Sequence, residues 1–132
     1  FECYDRIFID RRESKYNHCQ ITNDIEIKKY LLDKGFSIYK IGELSFFEQI
    51  YLFNNAKTII GAHGAAFANL IFCEENTTII DIIPEDHPNT VDQKISMYKK
   101  LDFRYIKTNR LNDNEKINGD IYLPISRIKN LI

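Results

Sequence analysis

Short runs of β-branched residues alternate along the chain with longer stretches that carry apolar residues at helical spacing. The β-branched runs predict strands at residues 6–10, 36–41, 58–62, 77–83 and 103–107. Helical patterns lie at 23–34, 45–54, 65–72 and 89–101, a polar loop at 109–119, and a short strand and a final helix within 121–132. Strands that alternate with helices are typical of βαβ units. We therefore expect one Rossmann-like α/β domain over residues 1–132, with a three-layer, parallel sheet.

Residues that favour helix ends mark two of the predicted helices. Asn23 with Glu26 three residues on predicts a reciprocal cap, and Gly35 stands where a left-handed residue is expected after the helix. Ser45 and Glu48 form a second capping box. These signals set the boundaries of the helices on either side of the second strand.

Two later helices are predicted from their apolar residues. The segment 65–72 is nearly all apolar, which predicts burial on most of its sides. In the segment 89–101, Val91, Ile95 and Tyr98 recur at helical spacing.

Composition and charge narrow the class of protein. The chain has 132 residues, of which 44% are hydrophobic, so it can build the core of one domain. Eighteen basic residues balance nineteen acidic ones, which argues against a nucleic-acid-binding protein. Cys3, Cys19 and Cys73 form no disulfide or metal-binding pattern, and we expect idle thiols in a reducing compartment.

Targeting signals are not visible in the sequence. No apolar run approaches the roughly 18 residues of a membrane span, and no signal peptide is apparent. The chain also lacks an initiator Met, so we expect a fragment of a longer cytoplasmic protein, with membrane association through an assembly complex left open.

Ligands of parallel α/β sheets bind at the carboxyl ends of the strands. The strongest signal there is the turn after the third strand, where Gly61, His63 and Gly64 lead into the helix that begins at Ala65. Unpaired N–H groups and the helix dipole favour a bound phosphate at such a turn, and His63 is expected to point into the same crevice. The alternative is a tight turn that needs glycines for steric reasons, with His63 satisfied locally.

Three further candidate sites follow other strands. Arg11 and Arg12 come after the first strand, where forked guanidinium donors suit a diphosphate; solvated surface charge is the alternative. Glu43, Leu44 and Ser45 follow Gly42 after the second strand, where exposed main-chain groups can pair with a base; a capped loop is the alternative.

The last candidate is Asp81, near the end of the fourth strand. A carboxylate among β-branched residues needs a partner, which a ribose hydroxyl or a neighbouring cation would supply. The alternative is that Asp81 caps the backbone or pairs with Arg11 or Arg12. The three histidines have no metal-ligand spacing, and the sequence contains neither a Gly-x-Ser-x-Gly nor a Walker motif.

One series of residues resembles family-61 glycosyltransferases, which include bacterial capsular polysaccharide biosynthesis proteins. The series runs Leu44-Ser45-Phe46-Phe47-Glu48-Gln49-Ile50, Leu52-Phe53, Ala56, Ile59-Ile60-Gly61, His63-Gly64-Ala65, Asn69 and Phe72. Arg11-Arg12, residues 23–26 and Asp81 also fit, so the resemblance covers roughly residues 7–84. Asn76 stands where a Gly is common in the family.

The resemblance implies the carboxy-terminal, donor-binding half of a GT-B fold. It implies an inverting transferase that uses a nucleotide sugar, most often a UDP-sugar, and a glycan or polysaccharide acceptor held by the other half, which also carries the catalytic base. The diphosphate would be held by helix N-termini and basic side chains without a metal. Arg11, His63, Gly64 and Ala65 would lie at the diphosphate, and residues 43–45 near the base. Asn69 also belongs to the implied substrate site, and Asp81 would lie near the ribose or sugar.

Two other functions stay open from the residues alone. One is a non-enzymatic, flavodoxin-like module that binds a nucleotide or a partner protein. The other is a hydrolase with His63-Gly64 in an oxyanion site, which the lack of a nucleophile elbow argues against.

Overall fold

The computed structural model describes residues 4–10, 21–85, 91–108 and 121–132. Its strands are β1 Arg6–Ile9, β2 Ser37–Tyr39, β3 Thr58–Ala62, β4 Thr78–Pro84 and β5 Asp102–Thr108. Its helices are α1 Asp24–Asp33, α2 Phe46–Asn55, α3 Val91–Lys99 and α4 Ile125–Lys129, with a short 3₁₀ turn at Ile41–Glu43 and a 3₁₀ helix at Ala65–Phe72. The predicted loop 109–119, Arg11, Arg12, Cys3 and Cys19 lie outside the described residues.

The strands form one parallel sheet in the order β2-β1-β3-β4-β5, which confirms the predicted α/β class. Because the chain adds β2 on one side of β1 and the later strands on the other, the direction of winding reverses between β1 and β3. In open α/β sheets this switch point opens a crevice outside the carboxyl ends of the strands. The ends of β1 and β3, at Asp10 and His63, flank that position.

Helices cover both faces of the sheet. One core joins α1 and α4 to the sheet through Phe8, Ile60 and Ile80. The other joins α2 and the 3₁₀ helix to it through Ile59 and Ile79. Successive residues of a strand point to opposite faces, so Gly61, His63 and Asp81 project to the same side as Ile59 and Ile79.

The predicted helix ends are partly confirmed. Ser45 and Glu48 form the predicted box: Glu48 N–H donates to Ser45 Oγ at 3.2 Å, and Ser45 N–H donates to Glu48 Oε1 at 2.9 Å. Gly35 adopts a φ of +84°, as its position after α1 predicts. The reciprocal cap at Asn23 is wrong, because its side chain pairs with the backbone of Leu123 at 2.7 and 3.1 Å and makes no capping bond.

The burial of two helices differs from the prediction. The 3₁₀ helix buries Phe67 and Leu70 but leaves Ile71 exposed, so it is not covered on most sides. The predicted apolar face of α3 is confirmed only at Ile95, which is half-buried against the core, whereas Val91 and Tyr98 are exposed. Asp92 and Ser96, one turn apart, are buried, so the inward face of α3 carries polar residues beside Ile95.

Gly61 is required by close packing between β3 and β1. A Cβ there would stand 3.1 Å from Ile9 Cβ and 3.3 Å from the Ile9 carbonyl oxygen, with Phe67 Cζ at 3.5 Å. The two short distances are to β1, which would have to move by a few tenths of an ångström to admit a Cβ, whereas the distance to Phe67 is an ordinary contact. This contact supports the steric alternative for Gly61.

Two other positions bear on the sequence analysis. Asn76 has a φ of +71°, in the left-handed region that favours glycine and that Asn tolerates better than most residues. Cys73 is a buried free thiol, and burial raises its pKa to about 12, so it is inert at neutral pH.

Candidate functional site

The turn that leaves β3 lies at the switch point and is anchored to the next strand. His63 N–H donates to the carbonyl of Ile82 at 2.8 Å. Gly64 follows with an extended backbone (φ 171°), so its conformation does not itself require glycine. The first hydrogen bond of the 3₁₀ helix runs from Phe67 N–H to the Gly64 carbonyl at 3.1 Å. The N–H groups of Ala65 and Ala66 therefore have no partner within that helix.

The His63 side chain points inward. Its ring nitrogen Nδ1 lies 2.9 Å from Asp81 Oδ2 in a hydrogen bond and 3.1 Å from Asp92 Oδ2 in an ion-pair contact. Asp81 and Asp92 are 1% and 7% exposed. We call these three residues the His63 cluster; it joins the end of β3 and the middle of β4 to the first turn of α3, so Asp81 is not near the end of its strand as predicted.

The two carboxylates favour the protonated imidazole. Burial alone would lower the pKa of His63, but the hydrogen bond to Asp81 and the nearby charges of Asp81 and Asp92 outweigh it and raise the pKa to about 9. Burial raises the pKa of the Asp81 carboxyl above its usual range. His63 acts in the opposite direction and lowers this pKa, whereas the nearby Asp92 raises it further. The cluster therefore binds protons more strongly when the chain is folded than when it is unfolded.

The same three side chains offer an imidazole nitrogen and two carboxylate oxygens within 4.8 Å of one another, a donor set that suits a divalent cation. A cation would have to replace the proton between Nδ1 and Asp81. The hydrogen bond at 2.9 Å places a proton between Nδ1 and Asp81 Oδ2, and the raised pKa of His63 favours the charged ring. Sequence spacing gave no hint of this set, because its members come from three separate elements.

A second ionic group lies at the end of β1, on the opposite face of the sheet. Lys28 Nζ, from α1, contacts Asp10 Oδ2 at 2.7 Å and Asp24 Oδ2 at 2.8 Å. Burial would lower the pKa of Lys28, but the hydrogen bonds and charges of Asp10 and Asp24 raise it overall. Asp10 is the last described residue before Arg11 and Arg12, and this group holds it at the end of β1.

The residues predicted to meet a base lie beyond β2, at the sheet's edge. Glu43 and Ser45 are exposed, and Gly42 needs no special backbone conformation. A hydrogen-bond chain connects this loop to the 3₁₀ helix: Asn69 donates to Gln49 Oε1 at 3.0 Å, and Gln49 donates to the carbonyls of Ile41 and Leu44, both at 3.2 Å. Leu44 and Asn69, both predicted site residues, are thus joined through Gln49.

The structure brings some predicted residues together and separates others. Gly61 and Asp81 are paired on the neighbouring strands β3 and β4, and His63 and Gly64 follow the end of β3. Asp81 pairs with His63, a partner that the sequence analysis did not consider, and its buried side chain does not line an open crevice.

Sequence reasoning missed Asp92, Lys28 and Gln49. A signal for Asp92 exists only in hindsight, in its spacing of four residues from Ser96 on one helix face.

Comparison with known proteins identifies the family of the chain. The family model described as Glycosyltransferase 61 matches residues 2–80, more than half of the chain, from the start of the sheet into β4. No curated protein matches the chain. No helix among the described residues is long and apolar enough to cross a membrane.

Proposed function

The chain belongs to glycosyltransferase family 61, and on that premise we propose that it is a donor-binding domain, which holds a nucleotide sugar for transfer to a glycan acceptor. The observation that carries the proposal is the position of the His63–Gly64 turn. It stands at the switch point of the sheet, beside the end of β1. In this class of sheet that is where nucleotides bind.

The chemistry of the turn suits a diphosphate. The first N–H groups of the 3₁₀ helix, at Ala65 and Ala66, precede its first internal hydrogen bond, and such groups with the positive end of the helix dipole attract anions. Gly64 presents no side chain to obstruct the approach. Arg11 and Arg12 follow Asp10 in the chain, and we propose that they supply the opposite, cationic side of the diphosphate site.

The nucleoside would extend from the diphosphate toward β2. We propose that the exposed residues Glu43 and Ser45 and the partly buried Leu44 lie near the base. The bond from Gln49 to the Leu44 carbonyl and the bond from Asn69 to Gln49 support this, because they hold the loop in a fixed relation to the helix of the phosphate turn.

The finer features of the proposal follow from the resemblance. We propose a UDP-sugar donor, transfer with inversion, and a second GT-B domain that supplies the acceptor site and the catalytic base. Capsular polysaccharide synthesis is one process that uses such enzymes. We also propose that no metal is needed, since the turn and the arginines supply positive potential where a metal would otherwise be required.

Titration of the isotope-labelled chain with UDP tests the proposal. We expect amide NMR signals from Gly61 to Ala66 to shift, with saturation at millimolar UDP and no effect of EDTA. Arg11→Ala should weaken binding by about 1.5–3 kcal/mol, as for a lost hydrogen bond to a charged group. Arg6→Ala is a matched control, because Arg6 lies at the amino-terminal end of β1, away from the carboxyl ends of the strands where the diphosphate is proposed to bind. Unchanged spectra at millimolar UDP would refute donor binding.

A second candidate is a non-enzymatic nucleotide-binding module. The strand order 2-1-3-4-5 favours it, because flavodoxin-like binding proteins have the same order. Such a module would bind UDP, GDP and FMN without regard to a sugar. Tighter binding of a UDP-sugar than of UDP would exclude it, since only a donor site has contacts for the sugar.

A further inference from the structure

Asp92 occupies an unusual place for a carboxylate. It lies in the first turn of α3, beyond the residues that the family model matches, and it is buried while Val91 and Tyr98 of the same helix are exposed. Burying a carboxylate is costly unless a partner compensates it. Helix α3 packs Ile95 against the core and also turns Asp92 inward, so the contact made by Asp92 is part of what holds the helix in place.

The partner of Asp92 is His63, the residue before Gly64 in the turn that is proposed to bind the diphosphate. Asp92 Oδ2 lies 3.1 Å from His63 Nδ1. The same nitrogen is hydrogen-bonded to Asp81 Oδ2 at 2.9 Å. Within the described residues, the titratable groups that face the ring are Asp81 from β4 and Asp92 from α3. The 3₁₀ helix, which packs against α3, carries no titratable side chain.

The cluster holds an excess of acceptors. Asp81 Oδ1 and Asp92 Oδ2 are buried and accept no aligned hydrogen bond among the described residues. One imidazolium between two carboxylates leaves the cluster with a net charge of −1, or of zero if the acids keep one further proton. Loss of the imidazole proton would make either state more negative, directly beside the turn that is proposed to receive a diphosphate.

We propose that Asp92 is a positioning residue for donor binding: with Asp81 it keeps His63 charged and its ring fixed, so that the turn from Gly64 to Ala66 stays set for the diphosphate. The inference rests on the proposed function. Asp92 itself does not touch the donor. It acts by connecting α3 to the side chain of His63. The main chain of His63 is already hydrogen-bonded to Ile82 in β4.

The test is the pH profile of UDP-sugar affinity in the native chain and in Asp92→Asn. In the native chain, Kd should be constant from pH 6.5 to about 8.5 and then rise by up to tenfold per pH unit, as one bound proton is lost. In Asp92→Asn the rise should begin about one to two pH units lower, because one charged contact of the imidazolium is lost. Titration of the uracil ring is common to both proteins and cancels in the comparison.

Asp102→Asn is the matched control. Asp102 is an exposed carboxylate on β5 that pairs with Arg104, so the variant removes one negative charge without touching His63. Its profile should follow the native one. A merely structural role for Asp92 would weaken binding by one factor at every pH and leave the shape of the profile unchanged, and that result overturns the inference.

Two further measurements separate the outcomes. NMR of the native His63 ring needs no variant: UDP-sugar should raise the pH at which the ring loses its proton, and no change on binding overturns the inference. Mn²⁺ that selectively broadens the His63 ring signals and tightens binding also overturns it, in favour of a metal site. If the native chain binds none of UDP-sugar, UDP and pyrophosphate, the proposed function is refuted and the inference with it. If it binds them but the pH profile of Kd is the same in Asp92→Asn as in the native chain, only the inference is refuted.

Discussion

The stability of the chain should fall as pH rises from 6.5 to 9, because of the His63 cluster. The pKa of His63 is raised from 6.5 to about 9 by its two carboxylates, in spite of burial. The folded state therefore binds a proton that the unfolded state has already released in this range. For a raised pKa the stabilisation is fully present below about pH 6.5 and is lost as pH approaches 9.

The size of the effect follows from the two pKa values. Each pH unit between them costs up to about 1.4 kcal/mol of the free energy of unfolding, so the whole range costs about 3 kcal/mol. This is a large part of the 5–15 kcal/mol typical of a domain. Urea unfolding at pH 6.5, 7.5 and 9, followed by circular dichroism, measures it directly.

The double variant Asp81→Asn/Asp92→Asn is the comparison that isolates the cluster. It removes both of the carboxylates that contact the imidazole among the described residues, while burial remains, so the pKa of His63 should fall and the slope between pH 6.5 and 9 should decrease. The other titratable groups are the same in both proteins. Parallel stability curves for the native chain and the double variant would refute the account of His63 as a buried imidazolium.

Three single substitutions test the local packing and capping, each by its urea midpoint. Gly61→Ala should destabilise by about 1–3 kcal/mol, because its Cβ would stand 3.1 Å from Ile9 Cβ; an unchanged midpoint would contradict this close approach. Ser45→Ala should cost about 1 kcal/mol through the lost cap of α2, and no loss would show that the box is not formed in solution. Lys100→Gly should stabilise by about 1 kcal/mol, because Lys100 has a φ of +60° and its contact with Glu75, at 3.9 Å, is exposed; destabilisation would show that the left-handed conformation is not strained.

Local patterns determined the elements of this fold. Runs of β-branched residues predicted the strands, and β3 at Thr58–Ala62 matches its prediction residue for residue. The Ser45 box and Gly35 were predictable because a cap depends on residues only a few positions apart. The residues resembling family-61 glycosyltransferases lie within one segment, and the family match confirms them at that level.

The predictions of element ends and helix caps were wrong where a residue distant in sequence provided a different hydrogen-bond partner. Asn23 has the right spacing to Glu26 for a cap, yet its side chain bonds the backbone of Leu123, a hundred residues away. The fourth strand was predicted to end at residue 83, but Pro84 continues it and pairs with Thr108 of β5. Neither partner is visible in a local window.

The sequence by itself determined the α/β class, the parallel sheet and the turn at His63 as the strongest candidate site, because each depends on local periodicity or on a short motif. Only the tertiary structure decided which way His63 points and which face of α3 is buried. Helix rotation depends on contacts across elements: Ile95 packs on the core and Asp92 contacts His63, while Val91 and Tyr98 of the same predicted face stay exposed. A cluster assembled from β3, β4 and α3 leaves no trace in the linear spacing of its residues, so its charge and its dependence on pH emerge only once the sheet and the helix are packed.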